Sequence, residues 1–423
     1  MQRRTFLTAL LATPAALALL EACGSSSTSA PTSTTQSTSF TQPGSSIVPI
    51  SSQPTSPAKD GVARSAEARI AASDFSAASV AINGFGVDLY NRLTTSADTT
   101  TPTNLVFSPA SIAVALAMTL AGAKGTTATE MDHVLHVADE AGLAMSMNAL
   151  TSALDGDTKS SVGADGAPVD VTLAIANSLW AQDDLAFETA FLDLLASQYG
   201  AGLQLVDYKS DPEAARQLIN AWVDDKTAHR IPQLLGAGVL TPDTRLTLVN
   251  AIYMKAPWAN PFAKASTAPS SFTTGSGTTV QAPTMNIDSH FDYTKGAGWQ
   301  GVVLPYVNGD LSMLIVLPDA TGGASLNDAA GELAGMAAGS TSTRVQLALP
   351  TFDIETMATL TDVLAAMGMP TAISKDADFS GMTTTEKLHI GAVVHQANIT
   401  VDEDGTEAAA ATAVVMATSA AIA

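Results

Sequence analysis

Two polar side chains stand on strand faces that are otherwise apolar, and chemistry is sought there first. Asn250 is in phase with Leu246, Leu248, Ile252 and Met254, and His395 is in phase with Val393, Ala397, Ile399 and Val401. Residues two apart share one face of a strand. A buried amide or imidazole left without partners costs about 1–3 kcal/mol, so each must find one. The economical arrangement is a bond between the two, with Ser108 and Ser111 at a neighbouring helix start as further partners. Two unrelated core polar groups, each satisfied separately, fit the periodicity equally well. His133 and His136 could share a helix face with Glu130 nearby. A zinc site needs more ligands in defined places, so no metal is expected there. No Gly-x-Ser-x-Gly elbow and no phosphate loop occurs, so neither an enzyme nor a bound cofactor is expected.

A second stretch is informative for what its side chains lack. Glu403, Gly405, Thr406, Glu407, Ala408, Ala409, Ala410, Ala411 and Thr412 form an acidic turn, one glycine and a run of very small residues. Only small side chains enter an already packed sheet without overpacking it. The glycine supplies a pivot with free φ and ψ. As an extended strand, Thr406, Ala408, Ala410 and Thr412 would face the core, followed by Val414 and Met416. Glu407, Ala409, Ala411 and Ala413 would face the opposite side. Taken alone, Ala408 to Ala411 also has high helix propensity.

The elements that must position these residues follow from periodicity and caps. Phe85, Leu89 and Leu93 predict an amphipathic helix after Asp74. Ser108-Pro109 is an N-cap with proline at the first helical position, opening a helix through Ile112, Leu116 and Leu120 to Gly122. Thr127 and Glu130 have the spacing of a capping box. Helices are predicted around 187–199 and 213–227. Val171, Leu173, Ile175 and Leu179 mark a strand, as do Leu246 to Met254 and Val345 to Leu349. Asn308-Gly309 between two apolar runs predicts a hairpin. Leu360, Leu364 and Met367 mark a helix stopped by Gly368 and Pro370. Helices come first and antiparallel strands later, which argues an α+β fold.

Bulk composition bounds the partners. The chain has 423 residues, 46% hydrophobic, with a formal net charge of −21. It offers no basic stripe, so nucleic acid, heparin and anionic lipid are not expected as partners. Residues 1–23 read as an export signal, with a twin-arginine pattern at Arg3-Arg4 and an apolar run from Ala9 to Leu20 too short to span a bilayer. Cys23, the only cysteine, has the position of a lipid-acceptor residue, although Glu21 stands where a small residue is commoner. Residues 24–58, dominated by Ser, Thr, Pro and Gln, read as a flexible tether. Residues 59–423 read as the folded part. The protein is expected to be exported and extracytoplasmic, touching a membrane only through a lipid anchor.

Several motifs in one order carry a resemblance. They are Asn104-Leu-Val-Phe-Ser-Pro-Ala-Ser-Ile112, Gly122-Ala-Lys-Gly-Thr-Thr127, Ile219-Asn-Ala-Trp-Val223, Leu248-Val-Asn-Ala-Ile-Tyr-Met-Lys255, Trp258-Ala-Asn-Pro-Phe262, His395 and the 403–412 arm. Together, over Phe85 to Ser419, they resemble the serpin family. The resemblance implies N-terminal helices packed on a large, mostly antiparallel central sheet, with smaller sheets beside it. It implies that Ser108, Ser111, Asn250 and His395 form a buried cluster beneath the point where that sheet opens. It implies a monomeric inhibitor of serine proteases, baited by a loop spanning 403–423 and cleaved near Ser419-Ala420. The small and aliphatic residues around that bond suit an elastase-like or subtilisin-like target. The alternative is a non-inhibitory binding or scaffold protein, or an inactive relic, on the same fold. The chain stops at Ala423 whereas family members continue, so missing C-terminal strands are expected. The arm is then expected either to insert as a central strand or to remain disordered.

Overall fold

The computed structural model describes residues 7–11, 70, 73–95, 104–154, 156–163, 166–274, 277–296, 298–318 and 340–418. Cys23, the 24–58 segment, Ser419 and Ala420 lie outside the described residues. The helices are α1 (Ser76–Thr95), α2 (Pro109–Leu120), α3 (Gly125–Val134), α4 (Glu140–Leu154), α5 (Thr189–Tyr199), α6 (Pro212–Lys226), α7 (Thr361–Met367) and α8 (Pro370–Ile373). The strands are β1 (Leu7–Leu11), β2 (Gly156–Val162), β3 (Pro168–Gln182), β4 (Gly202–Val206), β5 (Thr244–Pro257), β6 (Ala268–Thr273), β7 (Thr279–Gly296), β8 (Trp299–Pro305), β9 (Ser312–Pro318), β10 (Thr341–Pro350), β11 (Phe352–Thr359), β12 (Leu388–Val401) and β13 (Gly405–Thr418).

Seven strands make the central sheet in the order β11-β12-β13-β5-β3-β2, with β4 paired to β3. All its pairings are antiparallel except β3 with β4. The second sheet has the order β1-β9-β8-β7-β10, with β6 paired to β7. The turn from β8 to β9 places Asn308 and Gly309 at φ 81° and 74°. Both central residues of a type I′ turn need positive φ, which is why this dipeptide signals a hairpin.

Three apolar layers hold the sheets. On one face of the central sheet, α2 contributes Ile112, Leu116 and Leu120 to a core shared with Leu246, Leu248, Val414 and Met416. The other face is covered by α6 and the chain after it, where Ile219, Val223, Ile231, Leu234 and Leu235 meet Val249, Ala411 and Val415. Asn220 ties these covering pieces together. Its amide donates to Leu235 O at 2.9 Å, and its Oδ1 accepts from Leu235 N at 2.8 Å. The third layer joins the two sheets through Met254, Ile399 and Val401 on one side and Met285, Leu304 and Met313 on the other.

Two expectations are corrected here. The C-terminal strands are not missing, since β10, β11, β12 and β13 all lie in the last part of the described chain. The arm is itself one of these strands, as one of its two expected fates had it, because its small residues fit between β12 and β5. The capping box at Thr127 is not formed. Helix α3 starts earlier, at Gly125, and its N-cap Lys124 makes no side-chain cap bond. Thr127 Oγ1 instead accepts from Asp378 N, and the Glu130 carboxylate accepts from the amide and hydroxyl of Thr371. Tertiary partners therefore took both groups. The arm is buried on both faces, with Ala409, Ala411, Ala413 and Val415 as covered as Val414 and Met416.

Candidate functional site

The hairpin from β12 to β13 sets the site. Asp402 opens a tight acidic turn in which its carboxylate accepts from Asp404 N at 2.9 Å and Gly405 N at 3.1 Å. The strand beyond then runs as an interior ladder, with Thr406 opposite Val401 on one side and Ala256 on the other. The expected alternation is observed, and so is the first of the two fates expected for the arm.

Gly405 is required for a reason other than a pivot. Its φ is outside the left-handed region. An added Cβ would collide with Ala256 O and lie 2.8 Å from Pro257 Cα. Close backbone approach, rather than torsional freedom, is what glycine permits at this position.

Midway along the arm lies the polar cluster. His395 and Asn250 do not bond each other, because β13 separates their strands and sets Thr412 between them in register. Ser108, the N-cap of α2, accepts from Ser111 N with its hydroxyl, and its own backbone N–H donates to His395 Nε2 at 3.1 Å. That bond makes Nε2 the acceptor, so the imidazole proton is on Nδ1 and points to Thr412 Oγ1 at 2.8 Å. Thr412 Oγ1 also lies 2.9 Å from Ser111 Oγ. Burial pushes the His395 imidazole down to about 3, so it stays neutral. Asn250 donates instead to Asn177 Oδ1 at 2.9 Å, and Asn177 in turn donates to Tyr199 O. Asn250 Oδ1 is a buried acceptor with no hydrogen-bond partner among the described residues.

A second cluster holds the start of the arm. Trp258 stacks on Tyr306 with ring centroids 4.6 Å apart and planes inclined by 10°. Tyr306 donates its hydroxyl to Thr406 Oγ1 at 2.8 Å, and burial pushes its phenol pKa above the ordinary value. Trp258 Nε1 donates to Asp402 O, Lys264 Nζ reaches Asp404 at 2.8 Å, and Thr267 donates to Glu403 at 2.6 Å. The Thr267 hydroxyl, first among several causes, lowers the Glu403 carboxyl below its usual range. On the other face Tyr253 donates to Glu407 Oε1 at 2.8 Å. Burial and then this bond push the phenol up to about 12.

The periodicity argument brought Asn250, His395, Ser108 and Ser111 together as candidates. It missed Thr412 as the group between them, and it missed Asn177, Tyr306 and Lys264. Asn177 carried a signal, since it lies in phase with Val171, Leu173, Ile175 and Leu179 on one strand face. His133 and His136 are not brought to Glu130. His136 adopts φ 54° and bonds Asp88 at 2.8 Å, while Glu130 is engaged by Thr371.

An α+β protein whose central sheet has taken a small-residue arm as an interior strand is thus defined. The serpin (serine protease inhibitor) family profile matches residues 80–422. The chain is 35% identical over 343 residues to an uncharacterized serpin-like protein of Thermococcus kodakarensis, covering 79% of this chain and 75% of that one. It is 35% identical over 353 residues to a leukocyte elastase inhibitor of Bos taurus, covering 80% and 89%. Among solved structures, a cleaved Serpin 42Da is similar with a TM-score of 0.71 and 34% identity, over 80% of this chain and 89% of that one. The chain belongs to the serpin family.

Proposed function

We propose that this protein inhibits serine-type endopeptidases as a suicide substrate, by inserting the arm seen here as β13. The observation that carries the reading is the arm itself, fourteen residues from Gly405 to Thr418 running as an interior strand. Before cleavage the arm is exposed bait. The protease serine attacks the carbonyl carbon of Ser419. The Ser419–Ala420 peptide bond breaks, an ester to the protease forms, and the released Ala420 amine takes the proton that the protease base had accepted. The freed arm then enters the sheet from Thr406 downward. An extended strand of this length spans roughly 45 Å at about 3.3 Å per residue, enough to carry the bound protease along the sheet. New ladder bonds at about 1 kcal/mol each supply a driving force on the order of 10 kcal/mol.

In this reading β12 and β5 are neighbours until the arm enters. His395 Nδ1–H and Asn250 Oδ1 are then the donor and acceptor that face each other. Insertion exchanges that pair for the bonds through Thr412, and the orphaned Asn250 Oδ1 supports the exchange. An elastase-like or subtilisin-like target is favoured by the small and aliphatic residues Val414 to Ala420 and by the elastase inhibitor among the relatives. The working form is a monomer, exported and held at the cell surface by a lipid on Cys23.

Incubation with pancreatic elastase and with subtilisin tests the reading. A band at the summed mass that survives SDS and heat is expected, with loss of protease activity at near-equimolar ratio. Cleavage of the arm with undiminished protease activity would assign the chain to a non-inhibitory role on the serpin fold.

A further inference from the structure

The far end of the inserted arm meets a buried ion pair. Arg245 lies near the start of β5 with its side chain 10% exposed, and its Nε donates at 2.6 Å to Glu386 Oε2, two residues before β12 begins. These are the two strands that flank the arm, so the pair reaches from one to the other past the arm's end. Thr418 stands between them. It is paired with Leu388 at the start of β12, and its backbone N–H donates at 2.9 Å to Asp243 O, on the turn that leads into β5.

A register shift aims the guanidinium. Leu246 is paired with Met416 and Thr244 with Ala417, so Arg245 is the extra residue, without a partner in this ladder. A bulge of this kind re-aims a side chain and ends regular pairing. Arg245 Nη1 donates to Pro242 O at 2.8 Å and to Thr244 O at 3.0 Å. The carbonyls on either side of Asp243 are thus held by the guanidinium, and that of Asp243 is the one presented to the arm. Thr244 closes the same turn, its N–H donating to Thr241 O at 2.9 Å and its hydroxyl accepting from Thr241 N at 3.0 Å. Glu386 follows a segment fixed without help from the arm. Met382 O accepts from Glu188 N at 2.8 Å, and the Thr383 hydroxyl donates to Ala186 O at 2.6 Å and lies 2.9 Å from the Thr385 hydroxyl.

We propose that Arg245 is a positioning residue for inhibition, and that with Glu386 it forms an end clasp shaping the 241–244 turn to take the last backbone bond of the arm. That bond holds the residue directly before Ser419, the acyl residue of the ester, so the clasp sets how far the bound protease is drawn. The inference rests on the inhibitor reading and adds to it a determinant of how long the complex lasts. Loss of the complex is hydrolysis. Water adds to the Ser419 carbonyl carbon, the bond to the protease serine oxygen breaks, and that oxygen takes back a proton, leaving an arm that ends in a carboxyl group. With the arm's end slack, the protease active site is less distorted and completes this step sooner. Thr406 to Ala411 enter before the clasp is reached, so the clasp acts on the lifetime of the complex and not on its yield.

Two variants test the clasp. Arg245→Met removes both the pair and the grip on the turn, and Arg245→Lys keeps a charge for Glu386 but not the guanidinium fork. In the arm-inserted form, the amides of 415–418 should exchange about tenfold faster in the methionine variant and about threefold faster in the lysine variant, while those of 406–410 are unchanged. Unchanged exchange at 415–418 would overturn the proposal. Equal acceleration along the whole arm would overturn it as well, since that marks a general loss of stability. With pancreatic elastase or subtilisin, the isolated complex of Arg245→Met should release active protease about tenfold faster, at an unchanged stoichiometry of inhibition. Release at the native rate, or a change in stoichiometry alone, would also overturn it. A native chain that forms no complex overturns the inhibitor reading and the clasp's role with it. Unchanged exchange or release in a chain that does form the complex overturns the clasp alone, so the two failures are distinguishable.

Discussion

Thr412 Oγ1 lies 2.8 Å from His395 Nδ1, across the boundary between an interior strand and its neighbour. The relationship makes the hydroxyl of the arm the receptor of the only proton the imidazole can offer, since Ser108 N already occupies Nε2. The same hydroxyl meets Ser111 Oγ at the start of α2. One side chain of the arm thus engages both β12 and the helix beneath the sheet. Replacing it with an isosteric apolar group leaves a buried N–H without a partner.

Thr412→Val is therefore expected to destabilise the arm-inserted form by about 1–3 kcal/mol, the cost of stranding a buried donor. Volume is conserved, so packing loss contributes little. Thermal unfolding of the inserted form should fall by several degrees. An unchanged midpoint would show that the His395 bond adds nothing.

Protonation of His395 sets a pH dependence whose sign is fixed by burial. Burial pushes the His395 pKa down to about 3 in the folded chain, against about 6.5 for a free imidazole side chain, because desolvation disfavours the charged form. Below pH 6.5 the unfolded chain takes up a proton that the folded chain refuses. Stability from this group is therefore full above pH 6.5 and is lost progressively as pH falls toward 3. The slope approaches about 1.4 kcal/mol per pH unit within that window. Denaturant midpoints at pH 7.5 and pH 5 should differ in the native chain. The difference should shrink in His395→Gln, which keeps an amide donor but does not titrate. Equal differences in both proteins would remove His395 as the cause.

The fold was legible where local rules and tertiary structure agreed. Ser108-Pro109 opened α2 because cap and proline act within one turn. Asn308-Gly309 made its hairpin because both residues tolerate positive φ. Thr127 and Glu130 misled because each found a stronger partner on a distant segment, Asp378 and Thr371. In the site, period two located Asn250 and His395 on their strand faces. It was silent on which strands are neighbours, and so left open whether the two bond each other or are satisfied separately. Insertion of Gly405–Thr418 decided that, and helix propensity at Ala408 to Ala411 pointed the other way. The burial of both faces of the arm was also beyond periodicity. It depends on α6 and the chain to Leu240 covering the sheet.

The burial of the second face makes its own prediction. Ala411 is fully buried beside Val249 and Val415, in the layer covered by α6. Ala411→Leu adds volume where the arm has no room, at about 1–3 kcal/mol for overpacking. The inserted form should lose that much by denaturant unfolding. Insertion should also slow, so more arm is cleaved per complex formed with the protease. A leucine accommodated without loss would show that this layer yields, contrary to its packing.

Entry of the arm begins at Thr406, which is 3% exposed and receives the Tyr306 hydroxyl at 2.8 Å. Its register partners are Val401 and Ala256, so nothing at this level admits a long or charged side chain. Thr406→Arg would have to bury a guanidinium against the Trp258–Tyr306 stack, where no carboxylate faces it from β12 or β5. An unpaired buried charge costs several kcal/mol, comparable to the first turns of ladder bonds that insertion would form. The arm would therefore stall outside the sheet while its bait bond stays accessible. The expected outcome is loss of the SDS-stable complex, with cleavage of the arm at an undiminished rate. Thr406→Ser keeps the hydroxyl and the size, and should retain the complex. Complex formation unaffected by the arginine would show that trapping does not proceed through this strand.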